Sequence, residues 1–250
     1  RPRPRPRPRP LPRPHLHLRP RLTLTLARTL TTDPPRSGLQ GIGDYRGPKG
    51  VWTNLAEGVI PDESFDYSEA RPSYTHMAIK RLVDEGIAMG VTSTNLDGLH
   101  MKSGLAPMSN LAELHGNMFC ERCVRCSAEN YQAFPIQRTP KRFTGRYCDC
   151  GGHFMDSGID FGQVLPFKHL ALAEKQANSQ TVSLVLGTSL RVKPSCDLPL
   201  ANDAAVCIVN KQETPHDGAA SVRSFAACDD FMLALMTALG LKVDQPPRLV

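Results

Sequence analysis

The sequence predicts an α/β fold built on a parallel sheet, with a small cysteine-rich module inserted into it. Short apolar runs that end in small or polar residues alternate with helical patterns, and five of the eight cysteines fall within 31 residues. Apolar residues make up 40% of the 250 residues, which is typical of a protein with a buried core. No apolar run approaches the roughly 20 residues of a membrane-spanning helix, so no membrane partner is expected.

The N-terminal segment, residues 1–38, differs from the rest of the chain in composition. It opens with a strict Arg-Pro repeat and holds ten Arg against one acid, so its net charge is +9. Because the whole chain has a net charge of +6, the remaining residues carry a net charge of −3. Alternating prolines favour extended polyproline II, so we expect a disordered arm. The arginines could make weak nucleic-acid contacts through phosphates. The alternative is a solvated tail or a simple repeat, because no aromatic residues interleave for base stacking.

The alternation of Leu and Thr in residues 21–30 (RLTLTLARTL) predicts a half-exposed strand. Strands inside parallel sheets are usually continuously apolar. A central position would bury the threonine hydroxyls, so we do not expect this stretch to serve well as a central strand.

The later elements follow a strand–helix alternation. Helical spacing over residues 79–90 leads into a short strand, 91–94, and two apolar runs, 182–186 (VSLVL) and 205–209 (AVCIV), read as buried strands. Residues 229–239 predict a C-terminal amphipathic helix that starts with Asp and is followed by Gly. This alternation indicates a parallel sheet, whose ligands bind at the carboxyl ends of the strands.

Four cysteines have the spacing of a zinc site. Cys123-x2-Cys126 and Cys148-x-Cys150 are two knuckles separated by 21 residues, and each can turn two thiolates toward one ion. All four positions would be closed by sulfur, which predicts a structural zinc. A disulfide framework is the alternative, and an α/β body without a signal peptide argues against it.

The ligand set has open alternatives on spacing alone. Cys120 and Cys123 also form a Cys-x2-Cys pair, and His153 could replace one of the cysteines. Cys196, Cys207 and Cys228 stand singly and are expected to be core residues.

Several segments, taken together and in order, resemble the sirtuin (Sir2) family. The resemblance covers about residues 41–241, and DYRGPKGVWT with ELHGNM points to the class IV branch of sirtuins 6 and 7, with sirtuin 7 the closer. Besides the cysteine knuckles, it is carried by GIGDYRGPKGVWT (41–53), TNLDGLH (94–100), ELHGNM (113–118), IDFGQVLP (159–166), LGTSL (186–190), IVN (208–210) and ACDD (227–230).

The resemblance implies a Rossmann-like NAD-binding domain with an inserted zinc ribbon at about residues 119–156. The catalytic domain would run over 39–241, followed by a tail, 242–250. The implied activity is NAD-dependent protein-lysine deacylation, in which nicotinamide is released and the acyl group moves to ADP-ribose. The implied substrates are acyl-lysines of histones or other nuclear proteins, and the implied location is the nucleus.

The resemblance also implies a role for each matching residue. His115 corresponds to the family's base, which suits an imidazole because its pKa lies near neutral. Phe161 and Gly162 would bind the acyl-lysine, and Cys123 would be the first zinc ligand, followed by Cys126, Cys148 and Cys150. The residues implied to contact NAD are Asp44, Tyr45, Arg46, Asn95, Asp97, Gly187, Thr188, Ser189, Asn210 and Cys228.

The chain departs from the family pattern at its nucleotide-binding turn. No GAG-x-S precedes Asp44, and in the family this turn follows the central first strand and approaches the NAD phosphates. Gly43, Thr94 and Gln163 stand where the family has Pro, Gln and Glu. These departures leave a second hypothesis, a catalytically impaired sirtuin that acts as a zinc-containing peptide or nucleic-acid binding module.

Overall fold

The structure is a computed structural model, and it describes residues 22–26, 68–137, 139 and 141–246. Within the N-terminal segment, residues 1–38, the structure describes only residues 22–26, which form a strand, and the rest of the predicted arm lies outside the described residues. The elements in chain order are β1 (Leu22–Leu26), α1 (Tyr74–Asp84), β2 (Ala88–Ser93), α2 (Leu99–Lys102), β3 (Leu111–Glu113), β4 (Cys120–Cys123), β5 (Glu129–Tyr131), β6 (Phe143–Tyr147), β7 (His153–Asp156), α3 (Phe167–Ser179), β8 (Val182–Leu186), a 3-10 turn (Leu198–Leu200), β9 (Ala205–Val209), a second 3-10 turn (Asp217–Ala219), β10 (Val222–Ser224) and α4 (Cys228–Ala238).

Two sheets organise this part of the chain. Six strands form a sheet in the order β10-β9-β8-β1-β2-β3, in which every neighbouring pair is parallel. The other four form an antiparallel sheet in the order β5-β4-β7-β6, inserted between β3 and α3. The predicted α/β class with a Rossmann-like parallel sheet and a small inserted module is confirmed.

Helices cover both faces of the parallel sheet. Leu184 packs with α1 and α4 in one apolar cluster, whereas Val185 belongs to another on the opposite side. Successive residues of a strand point to opposite faces, so both faces of β8 are buried. Helix α3 covers the second face through Ala173 and Ala177. Among the described residues, none of the helices is long and apolar enough to cross a bilayer.

The position of β1 corrects one expectation. This strand, from the Leu-Thr stretch, lies in the middle of the sheet and pairs with both β2 and β8. Leu24 is fully buried, and Thr23 is buried as well. The Thr23 hydroxyl donates to the backbone carbonyl of Gln176 in α3 at 3.3 Å, which offsets the cost of burying it. The expectation that this stretch would not serve as a central strand was wrong because α3 supplies an acceptor.

The boundary between α1 and β2 also differs from the prediction. The helix ends at Asp84, and residues 88–90, expected to be helical, belong to the strand. Gly86 adopts a positive φ of 65°, and the Ile87 amide donates back to Leu82 at 2.9 Å, which closes the helix. The strands predicted at 182–186 and 205–209 are confirmed at both ends, and α4 begins and ends one residue earlier than predicted.

Candidate functional site

The carboxyl ends of five parallel strands stand level along one edge of the sheet. Val209, Leu186, Leu26, Ser93 and Glu113 are register partners in that order across β9, β8, β1, β2 and β3. At about 4.8 Å between strands, this row spans roughly 19 Å. The residues predicted to act on NAD follow these strand ends by one to four positions: Asn95, Asp97, His115, Gly187, Thr188, Ser189 and Asn210.

His115 stands two residues beyond the end of β3. Its side chain is half-buried, and burial lowers the pKa of the imidazole, partly opposed by a hydrogen bond to the Thr94 backbone. Because its pKa is lowered, the imidazole is neutral at neutral pH and can accept a proton. The backbone carbonyl of His115 accepts the Ile159 amide at 3.0 Å.

The turn after His115 is fixed by close packing on the inserted module. Gly116 has a positive φ of 85°, and a Cβ there would lie 2.1 Å from the Ser157 carbonyl oxygen. The backbone N–H of Asn117 donates to the Ser157 hydroxyl at 2.9 Å, and that hydroxyl donates back to the backbone carbonyl of Asn117 at 2.8 Å. The position of His115 thus depends on a glycine and on reciprocal hydrogen bonds to the module.

The Asn95 and Asp97 segment is a structured turn at the end of β2. Asn95 is buried, and its backbone N–H donates to the Ser93 hydroxyl at 3.1 Å. Asp97 is half-buried, and its Oδ1 accepts the Leu99 amide at 2.9 Å. The turn places Asn95 and Asp97 at the end of β2, which lies between β1 and β3 in the sheet.

The segment after β8 turns sharply at the same edge. Gly187 has a positive φ of 64°, and its amide donates to Val209 at 2.9 Å. Thr188 is buried, and its hydroxyl accepts the Leu190 amide at 3.1 Å, while Ser189 is half-buried. Gly187 therefore lies beside the end of β9, where Asn210 follows.

Asn210 and Cys228 lie on the β9 side of this edge. The Asn210 amide donates to Ser224 at 3.0 Å, and its side chain donates to the Gln212 carbonyl at 2.8 Å. Cys228 is the buried first residue of α4, and burial, with Asp229 beside it, raises its pKa to about 12, so it remains a thiol. The remaining predicted NAD contacts, Asp44, Tyr45 and Arg46, lie outside the described residues.

The predicted acyl-lysine segment projects from the end of the antiparallel sheet. Phe161 is 68% exposed, and Gly162 has a positive φ of 82°. The side-chain Oε1 of Gln163 accepts the Asp160 backbone amide at 2.9 Å and Arg142 Nη1 at 3.0 Å. The amide that replaces the family's carboxylate thus closes the loop on itself and on the inserted module.

A buried polar network joins β3 to the inserted module and to α3. Burial raises the pKa of Glu113 to about 8, although hydrogen bonds from Asn117 (2.7 Å) and Tyr131 (3.2 Å) favour its ionised form. His169 accepts the Glu113 amide at Nδ1 (3.0 Å), so its Nε2 carries the proton that is donated to Glu129 at 3.0 Å. The network joins β3, the strand that leads to His115, to the inserted module and to α3.

The four predicted zinc ligands lie together at one end of the antiparallel sheet. The sulfurs of Cys123, Cys126, Cys148 and Cys150 lie within 4.8 Å of one another, with 3.5 Å from Cys123 to Cys150 and 3.6 Å from Cys126 to Cys148. A tetrahedral zinc with Zn–S bonds of about 2.3 Å separates its sulfurs by about 3.8 Å. These distances are far too long for disulfides, and the cysteines are free. The cluster fits a structural zinc.

Local backbone features favour ligation at Cys123. The backbone N–H of Cys126, with a weaker contribution from Arg125, lowers the pKa of this thiol to about 6. A Cβ at Gly152 would lie 2.7 Å from the Cys123 sulfur, so the glycine leaves room for the ligand. Within the described residues, Cys120 and His153 lie outside the cluster. The Cys120 thiol contacts the Glu121 carbonyl, and the His153 ring lies edge-on to Phe143.

The fold and the site define an α/β protein with a parallel dinucleotide-type sheet and an inserted zinc-ribbon module. The family model described as Sir2 family matches residues 62–194. The chain is 35% identical to the NAD-dependent protein deacetylase Sirt6 of Drosophila melanogaster, over 82% of this chain and 68% of that protein. The chain therefore belongs to the Sir2 family.

Other relatives are considerably longer than this chain. It is 40% identical to the NAD-dependent protein deacetylase SRT1 of Arabidopsis thaliana and 38% identical to sirtuin-7 of Homo sapiens. The matches cover 83% and 81% of this chain but 45% and 54% of those proteins. The chain thus spans about half the length of these curated relatives.

Solved structures of the family have the same fold. A Sir2 protein with a deacetylated p53 peptide and 3′-O-acetyl ADP ribose superposes with a TM-score of 0.66 at 26% identity, over 90% of this chain and 95% of that chain. The Sir2Tm structure with a propionylated peptide gives 0.62 at 26% identity, over 90% and 94%. NAD is the co-substrate of this family, and the NAD-bound Sir2 complex with a p53 peptide also matches.

Two residues that shape the site, Asn117 and Arg142, were not singled out from the sequence. Asn117 belongs to ELHGNM, but its role in locking the turn depends on Ser157, forty residues away. Arg142 ion-pairs with Asp156 at 2.9 Å and holds the segment that leads to Phe161. A polar residue beside a motif glycine was the available signal for Asn117, whereas Arg142 stood outside every motif.

Proposed function

We propose that this chain is an NAD-dependent protein-lysine deacylase. The observation that carries the proposal is the row of level strand ends. It aligns a neutral, half-buried His115 with the turns after β2, β8 and β9 along one edge of a parallel sheet. Dinucleotides bind at this edge in doubly wound sheets. Membership of the Sir2 family supports the same reaction class.

The turns supply groups that suit a dinucleotide. Gly187 and Ser189 would face phosphate and ribose at the end of β8, and the Asn210 side chain would contact the adenosine ribose. Asn95 and Asp97 would hold the nicotinamide carboxamide and its ribose. Bound NAD would supply the ADP-ribose that receives the acyl group and the nicotinamide that leaves.

His115 is the proposed general base. Burial lowers its pKa, which keeps the imidazole in the neutral form that can take a proton. Because the Thr94 backbone engages the ring, its orientation is set before substrate arrives. Gly116 and Asn117 fix the main chain directly after His115.

The proposed acyl-lysine site is the segment around Phe161 and Gly162. Phe161, Val164 and Phe167 are exposed apolar side chains on one short stretch, and we propose that a substrate backbone pairs with this segment by β-augmentation. We propose nuclear proteins such as histones as substrates, on the resemblance to the branch of sirtuins 6 and 7. Imaging of the tagged full chain in cells tests the nuclear location.

The test is nicotinamide release from NAD in the presence of an acetyl-lysine histone peptide. We expect release that requires both substrates and is lost in His115→Ala. The matched control is His153→Ala, which removes an exposed histidine outside the row and should keep activity. A folded, zinc-loaded chain without release would contradict the proposal and favour the binding-module hypothesis. That hypothesis predicts peptide or nucleic-acid binding that survives His115→Ala.

A further inference from the structure

A second group of metal-ligating side chains lies away from the four cysteines. Cys196 and Asp197 precede the 3-10 turn at Leu198–Leu200, and His216 precedes the one at Asp217–Ala219. One ligand atom from each of Cys196, Asp197 and His216 lies within 4.8 Å of the other two. We propose that these three residues form a second metal site, which takes a divalent transition-metal ion such as Zn²⁺.

The separation between two of the three ligand atoms fits tetrahedral coordination. The Cys196 sulfur and Asp197 Oδ1 are 3.6 Å apart. An ion with bonds of about 2.3 Å to sulfur and about 2.1 Å to oxygen, at a tetrahedral angle, separates these two atoms by about 3.6 Å. The thiol and the carboxylate therefore already stand at the separation that one ion requires, and the His216 imidazole, which lies within 4.8 Å, would be the third ligand.

The chain holds these ligands in place without a metal. Cys196 is buried beside Leu190 and Val185 in the apolar cluster behind β8. On the other side, the Thr214 hydroxyl accepts the His216 amide at 3.3 Å and donates to Asp217 at 2.6 Å. Arg223 then pairs with Asp217 at 2.9 Å. The histidine thus stands on a turn that is anchored to β10, and little ordering is needed for ligation.

The donor set selects the class of ion. A thiolate and a carboxylate together balance the charge of a divalent cation, and a neutral imidazole adds no charge. Sulfur and imidazole favour Zn²⁺ or Co²⁺, whereas Mg²⁺ and Ca²⁺ require oxygen ligands. Three protein ligands leave one tetrahedral position for water, so the site differs from the closed four-cysteine cluster. The second carboxylate oxygen of Asp197 points to the exposed Lys193 at 3.7 Å.

The test is a Co²⁺ titration of the metal-stripped full chain, followed by visible absorption. We expect a first equivalent with the strong charge-transfer bands of four thiolates and a second with weaker bands from a single thiolate. His216→Ala should lose the second equivalent and keep the first, and Asp197→Asn should weaken the second by at least about tenfold. Circular dichroism of the zinc-loaded variants checks that they are folded.

The matched controls are Cys207→Ala and His153→Ala, which remove a partly buried thiol and an exposed imidazole outside the group. Both should retain the second equivalent. A chain that takes a single equivalent overturns the proposal, as does a second equivalent that survives His216→Ala. Because the readout is metal binding and not acyl transfer, failure here leaves the deacylase proposal standing, and the reverse also holds.

Discussion

The Thr23 hydroxyl and the Gln176 backbone carbonyl are 3.3 Å apart across the interface between β1 and α3. The Gln176 side chain extends over the neighbouring strand, where its Oε1 accepts the Thr92 hydroxyl at 3.2 Å. A Cβ at Gly90 would lie 2.1 Å from this side chain, so glycine makes room for it. One residue of α3 thus serves Thr23 of β1 and Thr92 of β2, and its contact with Thr23 allows a Leu-Thr strand to occupy the centre.

The central position of β1 predicts a large stability effect at Leu24. Leu24 is fully buried in the cluster under α1 and α4, so Leu24→Ala should lower the free energy of unfolding by about 2–5 kcal/mol. Urea unfolding of the full chain measures this. Leu233→Ala is the matched control, because Leu233 is 53% exposed on α4 and its loss should change stability by less than about 0.5 kcal/mol. Equal effects would contradict the central placement.

The buried strands were predictable because their signal is local. VSLVL and AVCIV are continuous apolar runs, and both strands match the sequence prediction at each end. The position of β1 was not predictable, since the acceptor for Thr23 comes from a residue 153 positions away. A cysteine zinc site was predictable from spacing, and the family resemblance selected its four ligands, whereas the group of Cys196, Asp197 and His216 was not predicted. Cys196 and Asp197 are sequence neighbours, but the fold alone brings His216 to them, and in the sequence Cys196 has the features of a core residue.

Glu113 predicts a pH dependence of stability. Burial raises its pKa from 4.5 to about 8, so the folded state holds a proton that the unfolded state has lost across this window. Stability should therefore fall as pH rises from about 4.5 to 8, by up to about 1.4 kcal/mol per pH unit, and change no further from this group above 8. Glu113→Gln should remove this slope. The measurement is urea unfolding across the pH range.

The control for this pH effect is Glu174→Gln on the exposed side of α3. This variant leaves the buried carboxyl of Glu113 in place, so its free energy of unfolding should vary with pH in parallel with that of the unmutated chain. If Glu113→Gln also runs parallel, Glu113 is ionised in the folded state and the network carries a buried charge. Loss of the slope in Glu113→Gln thus indicates a neutral Glu113 in the folded state, and an unchanged slope indicates a charged one.

The four-cysteine cluster predicts a metal-dependent fold of the antiparallel sheet. Cys126 is exposed, so Cys126→Ala removes a ligand with little loss of packing. We expect the variant to lose the four-thiolate Co²⁺ spectrum and to melt at a lower temperature, because bound metal at about a thousandfold excess over Kd stabilises by about 4 kcal/mol. Cys207→Ala, outside the cluster, should keep the spectrum. An unchanged spectrum in Cys126→Ala would place the zinc on other ligands.

Gly116 and Gly145 form a matched pair for testing how the turn positions His115. Both have a φ near +85°, but a Cβ at Gly116 would lie 2.1 Å from the Ser157 carbonyl oxygen, while Gly145 has nothing within 4 Å. Gly145→Ala should lose about 1–2 kcal/mol of stability from the backbone conformation alone. Gly116→Ala adds the clash, so it should be less stable than Gly145→Ala. It should also release nicotinamide more slowly, because the turn must move and carry His115 with it.

Unfolding and nicotinamide release are measured on both variants. Similar values in both would show that the turn can yield without disturbing the histidine, and the close approach of Gly116 to Ser157 would then have no part in positioning it.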